Sequence, residues 1–234
     1  MLRKLTAYLF IVSITVLIFL PKETSAFGIG IYVPIVGSGS GTVTDIDTDD
    51  EFDYDMKYAG GFGIVLDTKV AKDGLFNYRL NLGMINGDED REDYKYYVMD
   101  HSFGFGVLRT RFVRLWIGPR VRLAYMNYSD ETSYGNYDVS GIGFGLGPVL
   151  GANFNFGPVF TAALDLGYRV SSYAGTAEYE YDSEYYYESD SADFTQTENV
   201  FFVNLSLIFR IADVFGRTST QPDDEKPDYD QDYY

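Results

Sequence analysis

The chain has 234 residues, a formal net charge of −17 and no cysteine. That charge excludes a nucleic-acid binder, which needs a basic surface to displace counterions. The missing cysteine excludes a disulfide framework, a thiolate metal site and a lipoprotein anchor. Its 22 Tyr, 18 Phe and 24 Gly together set it apart from ordinary soluble domains.

The N-terminus reads MLRKLTAYLFIVSITVLIFLPKETSAF. Arg3 and Lys4 form a positive start, Leu5 to Leu20 an apolar run, and Pro21 breaks it. Ala26 ends a small-residue stretch suited to signal peptidase. The apolar run of 16 residues falls short of the roughly 20 that a spanning helix needs. Residues 1–26 are therefore expected to be a cleaved signal peptide. The mature chain would carry 15 basic and 34 acidic residues, a net charge of −19.

Beyond Ala26 the dominant pattern is alternation with a period of two, the signature of strands. In the first segment Ile29, Ile31, Val33 and Ile35 share a face opposite Gly28, Gly30 and Tyr32. The second sets Phe62, Ile64 and Leu66 against Gly61, Gly63 and Asp67. The third sets Tyr78, Leu80, Leu82 and Met84 against Asn77, Arg79, Asn81 and Gly83. The fourth places Tyr97, Met99, Phe103 and Phe105 opposite Asp100, Ser102 and Gly104. The fifth opposes Leu115, Ile117, Val121 and Leu123 to Arg114, Trp116, Arg120 and Arg122. The sixth opposes Ile142, Phe144 and Leu146 to four glycines from Gly141 to Gly147. The seventh opposes Leu164, Leu166 and Tyr168 to Asp165, Gly167 and Arg169. The eighth sets Phe201, Val203, Leu205, Leu207 and Phe209 against Asn204, Ser206 and Arg210.

Eight segments of about 10–14 residues suit tilted strands crossing a bilayer. A soluble sandwich would use shorter strands. The polar face holds Gly, Asn, Arg and Asp, which fit the narrow interior of an eight-stranded barrel. The connections point the same way. The first, third, fifth and seventh, near 37–56, 87–94, 129–138 and 172–198, are long and hold 23 of the 34 mature acids. The others, near 70–75, 109–112 and 155–158, are short. An outer-membrane barrel that starts in the periplasm has long outer loops at the odd connections. The expected fold is all-β, an eight-stranded antiparallel up-and-down transmembrane barrel. Ten strands is the alternative if 172–198 extends as a separate hairpin.

The expected signal, the eight alternating segments and the two sorts of connection together resemble the small outer-membrane barrels of Gram-negative envelopes, of the outer-membrane protein A transmembrane and outer-membrane protein X type. The resemblance covers about 27–215. It implies insertion by the barrel assembly machinery, contact with outer-membrane lipid and lipopolysaccharide, and periplasmic termini. The chain departs from the pattern at its end. Phe209 or Phe215 could serve as the terminal aromatic, but residues 216–234 follow as an acidic, Pro-containing tail that reads as disordered.

Candidate chemistry is sparse. The first long connection contains DIDTDDEFDYDM. Asp45, Asp47 and Asp49 have the 1-3-5 spacing of a calcium loop, with Asp53 nearby, but Asp50 and Met56 stand where that loop needs Gly and Glu. A solvated acidic loop, a loose divalent-cation site and a cation bridge to lipopolysaccharide all remain open. The last long connection has eight acids and no Lys or Arg, with Tyr185, Tyr186 and Tyr187 in a row. It reads as a solvated cap or as a surface for a cationic or glycan ligand.

The inner face groups Arg79, Arg114, Arg120, Arg122, Arg169 and Arg210 with Asp67, Asp100 and Asp165. They would form either an ion-paired plug or the wall of a narrow pore favouring anions. His101 is the chain's one histidine, and alternation puts it on the face opposite Ser102, so the two cannot form a nucleophile–base pair. No cofactor motif is present. The expected function is a non-enzymatic envelope protein, structural or surface-binding. A small-solute channel is the alternative, and a lipid-modifying barrel enzyme a distant third.

Overall fold

The computed structural model describes residues 26–69, 75–89, 92–110, 112–132, 135–157, 159–183 and 186–211. The expected signal peptide (except Ala26) and the acidic tail lie outside them. Eight strands follow one another: β1 (Ala26–Asp45), β2 (Glu51–Lys69), β3 (Phe76–Glu89), β4 (Glu92–Arg109), β5 (Val113–Thr132), β6 (Gly135–Phe156), β7 (Phe160–Ser183) and β8 (Tyr186–Arg210). Each pairs antiparallel with the next, and β8 returns to β1, so the sheet closes. The closing seam runs from Gly28 opposite Arg210 to Asp45 opposite Phe194. Closure leaves no edge strand to hydrogen-bond with lipid or another chain.

The strand faces follow the alternation. Ile31, Phe62, Ile64, Phe105, Ile117, Leu146, Leu205 and Phe209 point outward and are exposed. Arg79, Asp67, Asp100, Arg120, Arg122 and Asp165 point inward and are buried. Exposed apolar side chains on seven of the eight strands make sense only against lipid. Outward aromatics cluster toward both edges of this apolar belt. At the end that carries the chain termini, Phe76 meets Phe105 edge-on at 5.9 Å and Phe160 meets Phe209 at 4.7 Å. At the other edge Tyr97 lies 6.3 Å from Tyr125.

The strands are longer than the sequence reading expects. They run from 14 residues in β3 to 25 in β8, whereas about 9–11 tilted residues cross the hydrocarbon. The long outer connections are therefore a correction: most of 37–56, 87–94, 129–138 and 172–198 is strand. The β1–β2 hairpin turns over residues 46–50 only. Segment 172–198 belongs to β7 and β8, which stay in register from Phe160 opposite Phe209 to Ser183 opposite Tyr186. It adds no ninth or tenth strand.

The reason lies in an exchange of side-chain chemistry between the two faces. Along β8 the inward positions toward the terminal end are Phe202, Asn204, Ser206, Ile208 and Arg210, and those toward the distal end are Val200, Glu198, Gln196 and Phe194. The outward positions change oppositely, from Phe201 and Leu205 to Asn199, Thr197 and Thr195. On β1 the outward Ile29, Ile31 and Ile35 give way to Ser38, Ser40 and Thr42. Beyond the belt the barrel thus has a polar exterior and an apolar core of Met56, Ile85, Tyr96, Val98, Met126, Val139, Tyr173, Phe194 and Val200. Register shifts at Pro34/Val36 and Tyr58/Gly60 lie near the changeover on β1 and β2. Bulges re-aim a strand in this way. Gly60 has φ 143°, a backbone state that favours glycine.

Candidate functional site

The lumen of the belt is filled by an ionic lattice. Asp67 on β2 accepts from Arg79 Nε at 2.9 Å and Nη2 at 2.8 Å, and from Arg210 Nη1 at 2.6 Å. Asp165 on β7 accepts from Arg79 Nη1 at 2.5 Å and Arg120 Nη2 at 2.7 Å. In a ring of eight strands β3 and β7 are diametrically opposed, so the Arg79–Asp165 bond spans the bore. Arg122 grips Asp100 with two bonds of 2.7 Å, the planar fork that suits a carboxylate. Arg122 and Arg169 both donate to the Tyr58 hydroxyl, at 3.1 Å for Arg122. Ser102 accepts from Arg120 at 2.8 Å, and Ser171 from Arg169 at 2.7 Å. Arg114, nearer the terminal end, donates to the Phe76 carbonyl at 3.2 Å.

Arginine also serves as a flat packing surface here. Arg79 lies over Trp116 at 5.3 Å, and Arg120 and Arg169 over Phe202 at 4.7 and 5.8 Å. Glycines on neighbouring strands make the room. A Cβ at Gly104 or Gly151 would collide with the Trp116 ring, and one at Gly145 with the Arg169 stem. Trp116 Nε1 finds Asn153 Oδ1 at 3.3 Å, which also takes Arg79 Nη2 at 2.7 Å.

A second crossing lies above the arginines. Tyr96 on β4 donates to Glu198 on β8 at 3.1 Å, again between opposed strands. Gln196 donates to the same carboxylate oxygen at 3.2 Å and to the Tyr54 hydroxyl. Glu198 is fully buried, and its second oxygen has no hydrogen-bond partner among the described residues. Sequence reasoning missed this layer. Tyr54, Tyr173 and Glu198 fall within the expected long connections 37–56 and 172–198, and Tyr58 and Tyr96 carry no role in the sequence pattern. The signal on offer was the row of inward small residues facing them: a Cβ at Gly37, Gly41 or Gly143 would meet Tyr58, Tyr54 or Tyr173.

All nine charged residues expected in the lumen are placed there together. The surface candidates are not. Asp45 Oδ1 accepts from the backbone N–H of Asp47 at 2.8 Å and of Thr48 at 3.2 Å, so it caps the turn. Asp49, at φ 59°, closes the same turn through its N–H to the Asp45 carbonyl at 3.0 Å. Asp53 accepts from Thr42 Oγ1 at 2.7 Å. Among the described residues no group of three or more His, Cys, Asp or Glu could hold a metal ion. The acidic spacing is explained by turn geometry. Tyr185 lies outside the described residues, while Tyr186 and Tyr187 open β8 opposite Ser183 and Asp182. His101 points to the outer face, where its Nδ1 is 2.8 Å from the Tyr78 hydroxyl, while Ser102 bonds Arg120 inside. The two stand on opposite sides of the wall.

No protein-family model and no curated protein matches this chain. Solved structures of similar shape include a major outer membrane protein from Thermus thermophilus, at 16% identity over 78% of this chain and 98% of that one, with a TM-score of 0.48. Outer membrane protein OprG from Pseudomonas aeruginosa shares 10% identity over 80% and 97%, with a TM-score of 0.44. Neisserial surface protein A shares 12% over 77% and 96%, with a TM-score of 0.36. These are likenesses of architecture at low identity, and they transfer no activity. By its own closed sheet, lipid-compatible exterior and ion-paired lumen, the chain is an eight-stranded β-barrel of the outer-membrane type.

Proposed function

We propose that this protein is a non-conducting outer-membrane barrel that anchors a binding head on the outer side of the membrane. The observation that carries the reading is the doubly crossed lumen. Arg79–Asp165 and Tyr96–Glu198 each join opposed strands, at 2.5 and 3.1 Å. Both layers are buried, and Arg79, Asp67 and Asp165 are at most 1% exposed. Removing a partner from such a lattice strands a buried charge, so it has little freedom to open.

The half of the barrel beyond the lipid belt supports the second element of the reading. Its exterior carries Ser38, Ser40, Thr42, Asp53, Asp55, Thr195 and Thr197, a surface made for water. On this reading the termini are periplasmic, the assembly machinery inserts the chain, and the distal exterior stands among lipopolysaccharide headgroups and solvent. No catalytic role is assigned: His101 and Ser102, the pair a lipid-modifying activity would call on, are separated by the barrel wall. Planar-bilayer recording of the purified full chain tests the reading. Silence under applied voltage is expected, with Asp165→Ala giving intermittent openings. Steady openings of the unaltered protein would replace it with a channel.

A further inference from the structure

The distal half holds a half-open cavity of about 350 Å³, bordered by strands on nearly every side of the ring. That volume falls within the size of small-molecule sites. Much of the wall is apolar, from Val43, Met126, Val139 and Phe194. Tyrosine rings add π-faces: Tyr94 and Tyr137 line the cavity, Tyr94 stacks on Tyr128 at 5.0 Å, and Tyr128 meets Tyr137 edge-on at 6.0 Å. The charge is of one sign. Asp45 and Asp190 line the cavity from inward positions, Asp193 borders it with its carboxylate turned to the outer face, where it accepts from Thr176 Oγ1 at 3.2 Å, and no Lys or Arg lines it among the described residues. Gln196 contributes to the lining and donates onward to Glu198, so a buried carboxylate lies behind it.

An anion would meet carboxylates with no counter-charge. A hydrated metal ion would face an apolar wall. An organic cation satisfies every feature, because its apolar part fills the greasy wall, its charge meets the carboxylates, and tyrosine faces attract it. We infer that this vestibule binds one small amphipathic ammonium ion, carrying a single aromatic ring or a short alkyl chain. The inference rests on the proposal that the distal end lies outside the lipid, and it names the ligand class for that head.

The test uses the full chain in lipid nanodiscs and three probes of similar size: 2-phenylethylammonium, 2-phenylethanol and 3-phenylpropionate. Calorimetry should show the cation binding at least about tenfold tighter than the carboxylate, with the alcohol between them. Ala177→Trp fills the cavity and should abolish cation binding. Asp190→Asn keeps an acceptor for the Ser191 N–H, now at 2.8 Å, and should weaken the cation about three- to tenfold, less at high salt. Heat-modifiable migration checks that both variants fold. Equal or tighter binding of 3-phenylpropionate, no binding of the cation at millimolar concentration, or full binding by folded Ala177→Trp would overturn the site. Orientation is read separately. The chain has no cysteine, so Asp190→Cys can be labelled on intact cells with an impermeant maleimide. Labelling without cation binding rejects the site alone, and absence of labelling rejects the orientation on which it rests.

Discussion

The two halves of this barrel solve opposite problems with the same strands. In the half that carries the termini, apolar side chains face outward and the lumen is ionic, with Asp67, Arg79, Arg120 and Asp165 joined at 2.5–2.9 Å. In the distal half the exterior is polar and the lumen is apolar, around Met56, Val98, Met126 and Val200. The first is the arrangement lipid requires, and the second is that of a soluble barrel. The crossover sits between Phe201 and Asn199 on β8 and between Val36 and Ser38 on β1. No strand break marks it. The chain's backbone pairing continues unbroken through the change on β7 and β8, while bulges at Pro34/Val36 and Tyr58/Gly60 accompany it on β1 and β2.

The largest expected effect breaks the terminal half from within. Asp165→Ala takes from Arg120 the carboxylate it is paired with and leaves Arg79 with Asp67 alone, in a buried lumen, and should destabilise the barrel by about 3–5 kcal/mol. Urea unfolding in lipid vesicles measures it. The next tests the exterior on a single strand. Leu205→Arg places a charge on the lipid face and should cost about 2–4 kcal/mol, whereas Thr195→Arg, on the same face of β8 but beyond the belt, should cost about 0–1 kcal/mol. Equal costs at the two sites would erase the distinction between the halves. Overpacking comes next. Gly151→Ala pushes a methyl into the Trp116 ring and should cost about 1–3 kcal/mol. The smallest effects belong to the turn. Asp45→Ala loses the two backbone N–H bonds its side chain accepts and should cost about 1 kcal/mol, while Asp47→Ala should stay within about 0.5 kcal/mol. Calcium should not raise the unfolding midpoint of either variant or of the parent.

The comparison also explains what could be read from residues alone. Leu164, Leu166 and Tyr168 against Asp165 and Arg169 show strand and lumen together, because a period of two with apolar lipid contacts is strong and local. Arg120 and Arg122 could be matched to Gly147 and Gly145 because the register brings these pairs opposite one another. Read by pattern, the strands stop near Tyr97, Tyr125 and Phe201 because the apolar residues change sides there. Alternation continues, but a reading that follows one greasy face loses it. Residues such as Asp53, Asp55 and Thr195 then look like loop when they are the wet outside of a strand. The crossings by Arg79 to Asp165 and Tyr96 to Glu198 join residues 86 and 102 positions apart, and nothing in local spacing announces them. The aspartates of 45–49 left a solvated loop and a cation site both open, since spacing that suits a cation also suits a turn capped by Asp45.

The central claim is that the lipid boundary falls where the side chains change sides. Spin labels placed one at a time on outward β8 positions test it most directly, in a chain with no native cysteine. With the protein in lipid vesicles, labels at Phe201, Val203, Leu205 and Leu207 should collide with oxygen, and labels at Thr195, Thr197 and Asn199 with a water-soluble nickel chelate. Oxygen-dominated collisions continuing through Asn199, Thr197 and Thr195 would contradict it.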